Sequence, residues 1–133
     1  TVTGVQTCAL PIYLWRLVLD AVEEHGTLDV GLPEAPPMFR FSDLGESRRS
    51  LRAAGFDGPE LRVIDLRWRS NDPERVLQLI YKGVVRAPMI LEAQPEGARE
   101  RIHRAIIEAA ESRRRDGEIE LRFPAVLGVA ETT

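Results

Sequence analysis

The sequence predicts a mixed α/β fold in which two antiparallel strands are separated by a long helical insertion. The first strand segment, ELRVIDLRWR at residues 60–69, is apolar on both faces at its start and alternates apolar with polar residues at its end. The last segment, EIELRFPAVLGVA at residues 118–130, has the same two patterns in reverse order. Antiparallel pairing would place the doubly apolar halves of the two strands side by side, and the alternating halves likewise. This is expected of a hairpin whose root lies inside a larger, helix-covered sheet. Two unrelated strands of similar pattern are the alternative.

A first helix is predicted from Tyr13 to Gly26. Apolar residues recur at helical spacing over residues 14–22, and Gly26 stands where a helix end favours a left-handed turn. A proline-punctuated connection, TLDVGLPEAPPMFRF, comes next. Ser42 is then the predicted N-cap of a second helix, and Gly55 ends it before DGP turns the chain into the first strand.

The insertion between the strands, residues 70–117, carries two helical signatures. The first begins at NDPERV, with Asp72 as its cap and Pro73 at its first helical position, and Pro88 should kink or break it. The second begins at Pro95. Its apolar stripe consists of Ala98, Ile102, Ala105, Ile106 and Ala109.

The first residues, TVTGVQTCALPI, differ in character from the rest of the chain. They hold no charged residue and contain the only cysteine, Cys8, and no basic leader precedes them as a secretory signal would require. Residues 2–12 instead match, without a mismatch, the in-frame translation of a common short-read sequencing adapter. We therefore expect residues 1–12 to be adapter-derived and non-native, and residues 13–133 to be a fragment whose upstream part was lost.

Composition excludes several classes of function. With residues 1–12 set aside no cysteine remains, so disulfides, thiolate catalysis and cysteine metal sites are excluded, and a reducing, cytoplasmic location is expected. The formal net charge of −3 argues against a nucleic-acid-binding surface. No apolar run approaches the roughly 20 residues that cross a bilayer, so no membrane partner is expected.

The helix closed by LRAAGF, the strand after it, the helical insertion and the terminal strand IELRFPAVLGVA together resemble a known family. They look like the C-terminal half of a class I S-adenosylmethionine-dependent methyltransferase, of the small-molecule branch with extra helices between its last two strands. The similarity covers residues 13–130. It implies a doubly wound, Rossmann-like sheet in which residues 60–69 form the sixth strand. Residues 118–130 would be the seventh, inserted antiparallel between the fifth and the sixth.

The resemblance also implies a function. The parent enzyme would transfer a methyl group from S-adenosylmethionine to a small-molecule acceptor, with residues 70–117 as a lid on the acceptor side. In the family a Gly-rich turn after the first strand and an acidic residue ending the second hold the cofactor. Neither segment lies in this chain, so no residue is assigned to the cofactor or to catalysis, and we expect the fragment to be inactive alone.

Five side chains are candidates for the acceptor pocket, and ordinary packing or a solvated surface is the alternative for each. Tyr81 and Arg86 carry the sharper hypothesis, that they contact the acceptor. Lys82 is a further acceptor-side candidate, with a solvated surface as its alternative. The histidines, His25 and His103, are expected at the surface without metal-ligand partners. A rival function is an autonomous, non-catalytic α+β module that binds a hydrophobic ligand or a protein partner. The five candidates are Trp15, Phe39, Trp68, Tyr81 and Arg86.

Overall fold

A computed structural model describes the backbone of residues 2–9 and 12–132 and the side chains of residues 13–132. Helices and strands are mixed, as the sequence predicts. A short 3-10 turn, Arg40–Ser42, precedes the second helix. The elements in chain order are β1 (Val2–Ala9), α1 (Ile12–His25), α2 (Leu44–Ala53), β2 (Phe56–Ser70), α3 (Arg75–Gly83), α4 (Arg86–Glu92), α5 (Glu96–Glu111), β3 (Arg114–Arg115) and β4 (Glu118–Thr132).

The sheet has the order β1-β4-β2, and its strands are antiparallel. The predicted pairing of the two long strands, β2 and β4, is therefore confirmed. The segment identified with an adapter forms β1 and pairs with the other edge of β4, from Val2 opposite Ala130 to Ala9 opposite Ala125. A register shift interrupts this ladder between Gly4 and Cys8. β4 is thus a central strand with antiparallel neighbours on both sides.

The described residues form two compact units. One contains residues 2–9, 34–67 and 122–132, and the other contains residues 12–33 and 68–121. In the second unit α1 packs on α5 and α4, and α3 packs on α4 and α5. Burying each large apolar side chain contributes about 1.5–3 kcal/mol relative to exposure. The largest fully buried side chains are Val18, Val22, Val76, Ile80, Leu91, Ile102, Ile106, Ile119 and Leu121.

The buried side-chain amide of Gln94 holds the end of α1 against the junction of α4 and α5. Its Oε1 accepts a hydrogen bond from the backbone N–H of Thr27 at 3.0 Å. Its Nε2 donates to the carbonyl of Thr27 at 2.7 Å and to that of Ile90 at 3.0 Å. Both amide donors and the amide acceptor are therefore paired, which removes the cost of burying this polar group.

Gly26 serves close packing, and the predicted left-handed turn at this glycine is wrong. Its φ is not positive, and its N–H continues the helical pattern by donating to the carbonyl of Val22 at 2.8 Å. A Cβ on Gly26 would collide with Oε1 of Gln94 and would lie 2.9 Å from Cδ1 of Ile102. The glycine is needed because α5 and the Gln94 amide approach the backbone at this point.

The second helix begins one residue later than predicted. Asp43, rather than Ser42, is the N-cap, because its Oδ1 accepts the N–H of Glu46 at 2.6 Å. Ser42 belongs to the preceding 3-10 turn, where its N–H bonds to the carbonyl of Phe39. Both residue types suit an N-cap, and the 3-10 turn decides between them. The predicted end at Gly55 is confirmed by its φ of +87°.

The insertion contains three helices, because the first predicted helix is broken before Pro88, as expected, into α3 and α4. α3 ends at Gly83, and Pro88 lies in the first turn of α4, where a missing backbone N–H removes no intrahelical bond. The predicted cap at Asp72 and helix start at Pro73 are wrong, because α3 begins at Arg75 and Glu74 is its N-cap. Oδ1 of Asp72 accepts the N–H of Glu74 at 2.9 Å in the turn before the helix. The helix predicted to begin at Pro95 is confirmed as α5.

The long strands meet the burial expectation only in part. β2 begins at Phe56, four residues before the predicted start, and includes Gly58 with a φ of +57°. In β4, Ala125 and Val126 are buried, as expected for a doubly covered root. Val63 of β2 is 53% exposed, because nothing among the described residues covers its face. Among residues 12–132, no helix is long and apolar enough to cross a bilayer.

Replacing Gly26 with alanine tests the close approach of α1 and α5. The new methyl group would displace a fully hydrogen-bonded amide and Ile102, so we expect the free energy of unfolding to fall by about 1–3 kcal/mol. Gly83→Ala is the matched control, since its Cβ would lie 3.8 Å from Cδ1 of Leu79, an ordinary contact. Equal midpoints for both variants in urea would contradict this packing account.

Candidate functional site

Two titratable side chains of the helical unit, Tyr81 on α3 and His103 on α5, lie in contact. The phenol oxygen of Tyr81 lies 2.8 Å from Nε2 of His103. The two rings meet edge to face, with centroids 5.7 Å apart and an interplanar angle of 88°. His103 is half-buried rather than fully exposed as expected, because α3 packs on α5.

Burial and neighbouring charges lower the pKa of His103 and raise the pKa of Tyr81. Burial lowers the pKa of His103, and the nearby guanidinium of Arg99 lowers this pKa further. Burial raises the pKa of the Tyr81 phenol, the Glu92 carboxylate raises this pKa further, and Arg99 opposes them. At neutral pH the imidazole is thus neutral and the phenol keeps its proton.

The direction of the hydrogen bond depends on which ring nitrogen of the neutral imidazole carries the proton. With the imidazole proton on Nδ1, the Tyr81 hydroxyl donates to Nε2 of His103. The bond ties α3 to α5 across 22 residues of sequence. A neutral imidazole can also accept a proton, so the pair is able to act as a general base toward a ligand hydroxyl that reaches the phenol oxygen.

Trp68 lies near the end of β2 and lines an open groove on the exposed face of α3. Its volume is about 270 Å³, and it is lined by Trp68, Arg75, Gln78, Leu79, Lys82 and Gly83. The structure therefore brings Trp68 and Lys82 together, as their candidacy for one pocket requires. Tyr81 does not line this groove, because its side chain turns toward α5.

Arg86 is held by another contact. Its Nη2 donates to the carbonyl of Pro33 at 3.1 Å, which anchors the guanidinium to the segment after α1. Trp15 lies half-buried on α1. Phe39 precedes the 3-10 turn in the other compact unit. Their assignment to an acceptor pocket stays a prediction, as does that of Arg86.

Sequence reasoning identified Tyr81 and missed its partner. The sequence did contain a sign that His103 is half-buried. The residue lies beside Ile102 and about one helical turn before Ile106, at the border of the apolar stripe of α5. His25 instead lies at the end of α1, 3.8 Å from Oε2 of Glu24. Among residues 13–132, no group of histidine, cysteine, aspartate or glutamate side chains could hold a metal ion.

Comparison of the chain with protein-family models, with curated proteins and with solved structures found no match.

Replacing Arg99 with glutamine tests the electrostatics of the pair. Because Arg99 disfavours the imidazolium, its removal should raise the pKa of His103 toward its usual value. An NMR titration of the imidazole protons, with His25→Gln used to assign the two histidines, measures this pKa. Arg104→Gln removes a neighbouring exposed cation and should leave the pKa unchanged; equal shifts in both variants would refute the role of Arg99.

Proposed function

We propose that this chain is the C-terminal part of an S-adenosylmethionine-dependent methyltransferase that acts on a small-molecule acceptor. The observation that carries the proposal is the antiparallel pairing of β4 with β2, the strand that precedes the helical insertion. The resemblance requires this of the seventh strand. A three-helix insertion follows β2 and precedes β4, as the resemblance also requires of an acceptor-side lid.

The strand that pairs with the other edge of β4, opposite to β2, gives further support. In the proposed parent enzyme the fifth strand would pair with this edge, in the same direction that β1 takes here. The segment that matches a sequencing adapter would then stand in for a strand of the parent, because strand pairing depends mainly on backbone hydrogen bonds. The proposal thus accounts for a short N-terminal strand that pairs with the last strand of the chain.

The described residues do not fit the cofactor. The turn from β2 into α3, residues 71–74, contains no glycine, whereas a turn that cradles the cofactor needs backbone groups to approach closely. Gly55 and Gly58, which have positive φ, follow a helix and lie within a strand. We therefore assign no step of the reaction to the cofactor through this chain.

The acceptor-side role rests on the insertion. The groove beside Trp68 offers a binding surface, and the Tyr81–His103 pair offers a neutral imidazole. A general base is needed only where the acceptor loses a proton as it attacks. The contribution of these residues would be to orient the acceptor and exclude water, effects that can reach roughly 7–11 kcal/mol in favourable systems.

A second candidate function is an autonomous module that binds a hydrophobic ligand or a protein partner. The observation that favours it is the fully buried apolar core formed by α1, α3, α4 and α5. A hydrophobic core of its own is the feature expected of a domain that folds alone. A single cooperative melting transition of residues 13–133, independent of protein concentration, would favour this module over a fragment.

Calorimetric titration with S-adenosylmethionine tests the proposed function. We expect no binding by the present chain, because the Gly-rich turn is absent, and saturable binding with a stoichiometry of one by the protein translated from the complete gene. The complete protein should then methylate small acceptors. Micromolar binding by the present chain, or none by the complete protein, would refute the proposal.

A further inference from the structure

The groove beside Trp68 has a distinct chemical character. The indole of Trp68 and the side chain of Leu79 supply an apolar surface, and Arg75 and Lys82 supply two positive charges. No carboxylate lines the groove within the described residues. The groove therefore carries two positive charges, whereas the whole chain has a formal net charge of −3.

The two cations are available to a ligand. Neither Arg75 nor Lys82 has an ion-pair partner among the side chains of residues 13–132. By contrast, Arg69 and Arg114 of the same unit pair with Glu120 and Glu111. Within this part of the chain the indole N–H of Trp68 also has no hydrogen-bond acceptor. The groove thus presents two cations without ion-pair partners and one indole N–H donor beside an aromatic ring.

The backbone around the groove is fixed before any ligand arrives. Arg75, Gln78, Leu79 and Lys82 follow the i, i+3, i+4, i+7 spacing, so they share one face of α3, and the opposite face is anchored by the fully buried Val76 and Ile80. The turn that joins β2 to α3 is held by the buried Ser70, whose hydroxyl donates to the carbonyl of Asp72 at 3.0 Å and accepts its N–H at 3.1 Å. A preformed groove loses less conformational entropy when it binds.

We propose that this groove binds a small planar ligand that carries a negative charge, with its ring against Trp68 and its anionic group between Arg75 and Lys82. A volume of about 270 Å³ lies just below the range of pockets that hold drug-sized molecules, so a single-ring ligand fits. The identification of this ligand with the methyl acceptor rests on the proposed function. The binding site itself does not.

Benzoate is the probe, because it combines one ring with one carboxylate. Titration into the present chain should shift the indole N–H signal of Trp68 in a saturable way, with Trp15→Phe used to assign the two indole signals. Benzyl alcohol, which keeps the ring without the charge, should bind at least about threefold more weakly, and added salt should weaken benzoate binding. Acetate, which lacks the ring, should leave the indole signal unshifted.

Matched variants test whether Arg75 and Lys82 bind the carboxylate of benzoate. Arg75→Gln and Lys82→Gln should each weaken benzoate binding about three- to tenfold, because each removes a partly exposed cation from the groove. Arg104→Gln removes a cation outside the groove and should leave the affinity unchanged. Arg75→Glu combined with Lys82→Glu should reverse the preference, so that benzamidinium binds more tightly than benzoate.

Four results would overturn the proposal: an unshifted Trp68 signal, equal affinity for benzyl alcohol and benzoate, equal weakening by the Arg104 control, or no reversal in the doubly acidic variant. The exposed substitutions should leave the urea midpoint unchanged, which excludes misfolding as the cause of weaker binding. Failure of S-adenosylmethionine to bind the complete protein would refute the methyltransferase proposal and leave this site intact. Failure of benzoate to bind would refute the site alone.

Discussion

The packing within the helical unit depends on one close approach, between the end of α1 and the buried amide of Gln94. Gly26 lets this amide and Ile102 of α5 come within contact of the helix backbone. Because the amide pairs with Thr27 on one side and Ile90 on the other, it fixes three segments with one side chain. The cost of burying an amide makes this contact sensitive to small changes in geometry.

The candidate site inherits its geometry from that contact. Ile102 packs beneath Gly26, and the next residue of α5, His103, reaches Tyr81 on α3. A shift of α5 along α1 would therefore move the imidazole away from the phenol. α3 has two further roles, since it buries Val76 and Ile80 in the core and presents Arg75 and Lys82 to the groove.

Much of this fold could be predicted from residue patterns, and the failures have physical causes. Period-two and period-3.6 patterns predicted β2, β4, α1 and α5, because apolar residues recur at different spacings in strands and helices. Gly26 and Ser42 were misassigned, since their roles are decided by a distant amide and by a 3-10 turn. The Tyr81–His103 contact could not be predicted, because it depends on how α3 and α5 pack. The groove was half predicted, through Trp68 and Lys82, while Arg75 became visible only once α3 was placed.

The reading frame upstream of Tyr13, recovered from the source DNA, tests the methyltransferase assignment most directly. The methyltransferase proposal implies a native strand on the edge of β4 that β1 occupies here. We therefore predict that the frame continues upstream with a strand just before Tyr13, and a Gly-rich strand-to-helix turn roughly 90 to 120 residues earlier. A long upstream frame without that turn, or one that reproduces residues 2–12, would contradict the assignment.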